Sequence, residues 1–171
     1  MLIACLATIS TASNNNLNNG EIKVINYQFD YYGMIIDGME AKGFIALNTK
    51  DGYESPDSAF KEFTQKLEIG FISIVNGTIM KNNIRLDNTT ESQYLVIISF
   101  RNIDKDGEHY VHGNLLDRKN GNKQIASFSV HAGGGRWGTF NHLFFGYALP
   151  KSGKRLGNKL KNVIKTLPFN K

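Results

Sequence analysis

Apolar positions recur along the chain with two different periods, and the switches between them lay out an order of elements. Ile22–Phe29 mixes β-branched and aromatic residues in near-alternation and reads as a strand. A turn at Asp30–Gly33 and a short strand Met34–Ile36, closed by Asp37-Gly38, follow. Residues 39–54 give no clear period, and Phe44–Leu47 fits a strand or a buried loop. The period then becomes helical: Phe60, Phe63, Leu67, Phe71 and Ile74 stand three and four apart on one stripe. Ser55-Pro56-Asp57 supplies a capping hydroxyl, a first-turn proline and an acid at the start of that helix. Gly77 is the expected terminator, and Gly70 lies at the stripe's edge, where it would allow close approach to a sheet.

Gln93–Phe100 is the strongest strand. Asp104–Gly107 turns it onto Glu108–Leu116, and Asp117–Asn122 turns that onto Lys123–Val130, giving a three-stranded meander. A glycine-rich stretch, Gly133–Gly138, leads into two helical segments near 139–148 and 151–166, with Pro150 between them. Two strands, a helix, three strands and then helices predict an α+β two-layer sandwich. Its sheet would be antiparallel, of about five strands, packed by the central and C-terminal helices. One domain spanning 21–167 accounts for the length.

Charge is distributed unevenly. The chain carries +5 overall, yet residues 118–171 hold eleven Lys or Arg and no acid, while all fifteen Asp and Glu precede them. Such a split suggests an anionic partner for the last third, or a basic helix balancing an acidic neighbour within the fold. In the final helix, Leu149, Leu156, Leu160, Val163, Ile164 and Leu167 share one arc, and Lys151, Lys154, Arg155, Lys159, Lys161 and Lys165 take the other. That helix either docks on the sheet through its apolar stripe or lies on an anionic membrane. Arg136 and Trp137, on the glycine-rich loop, are the candidate recognition tip, unless Trp137 folds back to cap the core.

The opening segment, Met1–Ser13, is apolar and ends in small residues, and the polar stretch 14–20 is rich in asparagine. Together they read as a signal peptide and leader, cleaved after Ala12 or Ser13, although no Lys or Arg precedes Lys23. Leu2–Cys5 also fits a lipoprotein box, with Cys5 as the lipidated residue. Either reading places the protein in the periplasm, at the outer membrane or outside the cell.

Several motifs carry less chemistry than their spacing suggests. Gly133-x4-Gly138-Thr139 has the glycines of a phosphate loop without its lysine. Asn102-x-Asp104-x-Asp106-Gly107 begins like a calcium loop but has Gly113 at the position of its bidentate glutamate. His109 and His112 would point to opposite faces of a strand and so share no metal. His131 and His142 flank the glycine loop without a third ligand. Asn76-Gly-Thr78 and Asn88-Thr-Thr90 match glycosylation acceptors. No nucleophile elbow or carboxylate pair points to catalysis, and no cofactor or metal is expected.

The strand Ile25–Tyr31, the phenylalanine-bearing helix, the meander, the Gly133–Asn141 exit and the Ser152–Gly157 helix together resemble a group of uncharacterised secreted or lipid-anchored Bacteroidetes proteins. That resemblance implies an envelope-associated α+β domain of accessory type and brings no catalytic residues with it. The expected function is non-enzymatic: binding of a protein partner or an anionic membrane surface through the basic C-terminal third. The alternative is nucleic-acid binding by the same region, with Trp137 and Phe140 stacking on bases. A third reading, a hydrolase or transferase at the glycine loop, would need His131 or His142 beside an acid in a pocket.

Overall fold

The computed structural model of the protein describes residues 22–48 and 55–168. The signal-like opening with Cys5, and the leader 14–20, lie outside the described residues. Strand β1 (Lys23–Asp30) is followed by a small hairpin, β2 (Ile35–Ile36) and β3 (Met39–Glu40), and by helix α1 (Ala41–Asn48). The long helix α2 (Pro56–Ile79) leads to the short strand β4 (Ile84–Leu86). Strands β5 (Tyr94–Arg101), β6 (His109–Asp117) and β7 (Lys123–Ala132) form the meander. A π-helix (His142–Ala148) then runs directly into α3 (Leu149–Ile164).

The sheet has the order β4-β1-β5-β6-β7 and is mixed, not antiparallel. β1 is parallel to both β4 and β5, while β5, β6 and β7 are antiparallel. The cause is the long helix: α2 carries the chain back along the sheet, so β4 starts from the same end as β1. The Met34–Ile36 segment is not a strand of this sheet. β2 forms its ladder with β3, and a parallel bridge between Ile36 and Ile103 ties the hairpin just past the end of β5, with Ile103 N–H bonding Ile35 O and Asp37 N–H bonding Ile103 O. Residues 41–48, ambiguous in sequence, form a helix because Ala41, Phe44 and Ile45 share the face buried against α2.

α2 starts as its cap predicts. Ser55 Oγ accepts the Ser58 N–H at 3.2 Å, and Ser58 Oγ accepts the Ser55 N–H at 3.2 Å. Its buried line runs through Phe63, Leu67, Phe71, Val75 and Ile79, with Phe60 and Ile74 on the flank. Gly77 does not end it. The helix tightens into a 3-10 turn, Met80–Asn82, and stops at Asn83, whose φ of 56° is left-handed. Gly70 faces α3 rather than the sheet, since a Cβ there would meet Leu149 Cδ2 at 3.6 Å.

α3 docks as its apolar stripe predicts. Leu156 and Leu160 are fully buried, and Leu156 Cδ1 would lie 3.1 Å from a Cβ at Gly113 of β6. Gly153 and Gly157 let α2 approach: Cβ atoms there would sit 2.7 Å from Ile74 Cγ2 and 2.9 Å from Thr78 Cβ. Pro150 does not break the helical run. Leu149 N–H already bonds Phe144 O, five residues back, so the i→i−4 ladder that proline would interrupt is already relaxed. The helices cover one face of the sheet. The other face, carrying Gln28, His112, Ser127 and Ser129, stays open.

Candidate anion-binding surface

The glycine-rich loop is built for close approach. A Cβ on Gly134 would stand 2.4 Å from Asp106 O, and one on Gly135 would stand 2.4 Å from Leu143 Cδ2. Gly135 N–H bonds Asp106 O at 2.9 Å. The loop is thereby pressed between the β5–β6 turn and the π-helix, and its tip is left outside. Trp137 is 88% exposed and Arg136 is exposed beside it, so the tryptophan projects rather than capping the core.

Next to this tip, Lys151 Nζ lies over the Tyr147 ring, 3.4 Å from its centroid. The Lys151 ammonium, as donor and as charge, holds the Tyr147 phenol below its ordinary range, and Arg136 adds its charge. Arg136 of the loop and Lys151 of the helix thus act on the same phenol. Along α3, Lys154, Arg155, Lys159 and Lys165 are exposed, while Lys151 and Lys161 are half-buried on the outward arc. Lys161 Nζ donates to Asn158 Oδ1 at 3.2 Å, and Arg155 donates to His131 O.

Among the described residues, ion pairs join Lys42 to Asp57, Arg85 to Asp87, Arg101 to Asp30 and His131 to Glu108. None involves Arg136 or any cation of α3, so no acidic neighbour within the described fold neutralises them. The structure thus gathers Arg136, Trp137 and Lys151 at one end of the helix, and strings Lys154, Arg155, Lys159, Lys161 and Lys165 along its outer side. Tyr147 is the member of this surface that the sequence reading missed. Its signal was faint: it lies four residues before Lys151, so one helical turn stacks the two.

The histidines resolve differently. His109 is fully buried on the helix side of β6, while His112 faces the open side. His109 Nδ1–H donates to Gly107 O at 2.7 Å, a carbonyl that can only accept. In the neutral ring Nε2 is then the acceptor, 2.8 Å from Ser152 Oγ, whose one hydroxyl proton is also within 3.0 Å reach of Leu149 O. Burial is the main force pushing this imidazole down to about 4. Ser152 is also fully buried, so this serine–histidine pair has no access to substrate and ties α3 to β6. His131 does meet an acid, with Nε2 2.9 Å from Glu108 Oε1, but both side chains are over 40% exposed and Tyr110 stacks on the ring. His142 stands against Gly138 at the loop's base.

Other motifs are absorbed by the fold. Asp104 Oδ1 accepts the N–H groups of Asp106 and Glu108, which makes the calcium-like segment a turn. Among the described residues no cluster of His, Cys, Asp and Glu could hold a metal ion. Both glycosylation-like asparagines are engaged: the Asn76 amide pairs with both N–H and O of Leu86, and the Asn88 amide with both of Tyr27. Phe140 packs on Phe44 and Phe144 at 5.1 and 5.5 Å, so it is not a free base-stacking ring. A shallow cavity of about 410 Å³ lies elsewhere, between Asn26, Gln28, Thr89, Thr90 and Arg118. No sequence signal marked it, since three separate segments supply its walls. Its Arg118 is spent on Asn26 Oδ1, 2.9 Å away.

No protein-family model matches the chain, and no curated protein matches it. Among solved structures, protein XCC0632 of Xanthomonas campestris, described as a DUF330 protein, is 14% identical with a TM-score of 0.49 and covers 92% of this chain and 94% of its own. A protein titled only as uncharacterised is 11% identical, with a TM-score of 0.47 over 84% of this chain and 93% of its own. The PelC dodecamer of Paraburkholderia phytofirmans is 13% identical, with a TM-score of 0.38 over 84% of this chain and 87% of its own. These likenesses do not show the Bacteroidetes or lipoprotein character that the sequence resemblance implied. Likenesses this distant carry no argument about function.

Proposed function

We propose that this is a non-enzymatic protein of the cell envelope that binds anionic membrane surfaces through the outer side of α3 and the Arg136–Trp137 loop. The observation that carries the proposal is the row of cations from Arg136 to Lys165, outward and without a carboxylate partner among the described residues. A docked helix cannot insert its apolar stripe, so attachment would be electrostatic, worth roughly 1 kcal/mol per lysine near an anionic leaflet. An exposed tryptophan beside a cation-bearing tyrosine suits the headgroup level. Export is supported by the apolar opening Met1–Ser13. The absence of catalysis is supported by the burial of the Ser152–His109 pair and by the exposure of the His131–Glu108 pair. Among the described residues no helix is long and apolar enough to cross a membrane.

Flotation with vesicles of pure phosphatidylcholine, or with added phosphatidylglycerol, tests this. The proposal expects flotation only with the anionic lipid, weakening steeply as salt rises. Equal flotation with both lipids, or none with either, overturns it.

A further inference from the structure

The two edges of the sheet are finished differently. On one side, side-chain amides stand in for a missing strand: Asn76 pairs with Leu86 of β4, and Asn88 with Tyr27 of β1. Exposed edges template further pairing, and such plugs prevent it. The opposite edge is β7. Arg155 donates to His131 O, so the backbone of His131 points away from β6. Alternation along an antiparallel ladder then turns the N–H and C=O of Ser129 and Ser127 outward as well. Both residues are exposed, and among the described residues nothing bonds their outward backbone groups.

The surroundings of this edge are cationic. Arg155 already reaches it, and Lys159, one helical turn on, lies on the same side of α3. Lys123 begins the strand, and residues 118–171 contain no acid; Glu108, paired to His131, marks one end. A second copy laid along β7 would bring two such basic segments together. An extended acidic segment would instead meet opposite charge while completing the ladder. We propose that the β7 edge receives an extended acidic peptide of a partner protein as a sixth strand, with its alternate carboxylates turned toward Arg155 and Lys159. This site shares Arg155 and Lys159 with the cationic arc of α3, but its strand pairing belongs to β7 alone and stands without membrane attachment.

The probes are two short peptides, one alternating threonine and glutamate and the other threonine and lysine, titrated into the full chain by fluorescence anisotropy and amide hydrogen exchange. The glutamate peptide is expected to bind, to slow exchange at Ser127 and Ser129, and to outbind the lysine peptide at least tenfold. Ser129→Pro removes one outward donor, which an edge strand tolerates, and should weaken binding at least tenfold. Arg155→Glu, which leaves the β7 backbone intact, should do the same if the proline variant fails to fold. Ser129→Pro should leave vesicle flotation within about twofold, whereas Arg155→Glu, a charge reversal on the cationic arc of α3, should weaken flotation as well. No binding of the glutamate peptide, equal binding of the two peptides, or binding indifferent to both substitutions overturns the proposal. So does self-association of the chain through β7, seen by sedimentation and abolished by Ser129→Pro.

Discussion

His109 makes a quantitative forecast because it is buried, neutral and tied at both nitrogens. Its imidazole is pushed from 6.5 down to about 4, chiefly by burial, with the charge of His131 adding a little. In the unfolded chain the ring protonates near its ordinary value, so below that pH the unfolded state binds the extra proton. Stability from this residue is therefore complete above about pH 6.5 and is lost progressively as pH falls to about 4. Between those limits the loss is about 3 kcal/mol, from roughly 1.4 kcal/mol per pH unit. Asp87 is held below the carboxylate range by the Thr89 N–H. Asp117 is held low by Gln93 and Asn120 in spite of burial. Both add their losses only below about pH 4, outside the histidine window. Urea unfolding at intervals from about pH 7.5 to about pH 4 is the assay, with His109→Gln as the non-titrating comparison. Wild-type stability should fall about 3 kcal/mol more than that of the variant. Parallel curves would refute the buried, neutral histidine and with it the account of how α3 is fastened to β6.

Gly107 has a φ of +82°, and a Cβ there would lie 2.9 Å from the backbone of Leu143 and Phe144. Gly107→Ala should cost about 2–4 kcal/mol, lowering Tm by roughly 6–12 °C in a calorimetric scan. Asn76→Ala leaves the N–H and C=O of Leu86 unpaired and should cost about 1–3 kcal/mol by urea titration, whereas loss of an ornamental surface amide would be near zero. Trp137→Ala should leave stability within about 0.5 kcal/mol, because the ring is 88% exposed, while weakening flotation with anionic vesicles.

What was legible in the sequence is what local period encodes. α2, the meander and the two faces of α3 appeared because each repeats apolar residues at the spacing of its own geometry. The direction of β1 was not legible, because a strand's pattern is the same whether its neighbour runs parallel or antiparallel. β4 was missed because three residues carry no period, and α1 because its apolar residues sit in a short, glycine-containing stretch. Pro150 misled: the relaxed turn that accommodates it is a backbone event with no residue code of its own. For the surface, the cations were readable from charge alone. Tyr147 required the register between the π-helix and α3, and the open backbone of β7 required knowing which strand ends the sheet. That the basic residues lack carboxylate partners could be learned only once the acids of the first two thirds had been placed.

If the outer arc of α3 attaches the protein to an anionic membrane, its exposed lysines must carry the affinity. Lys154 and Lys165 lie on that arc, exposed and away from the β7 edge. Reversing both should cost roughly 2–4 kcal/mol of attachment, a thirtyfold or greater loss of affinity for phosphatidylglycerol-containing vesicles. Unfolding should be unchanged. Vesicle partitioning of the Lys154→Glu, Lys165→Glu double variant against wild type is the direct measurement. A loss of that size with the fold intact is the predicted result, and undiminished partitioning would contradict the account.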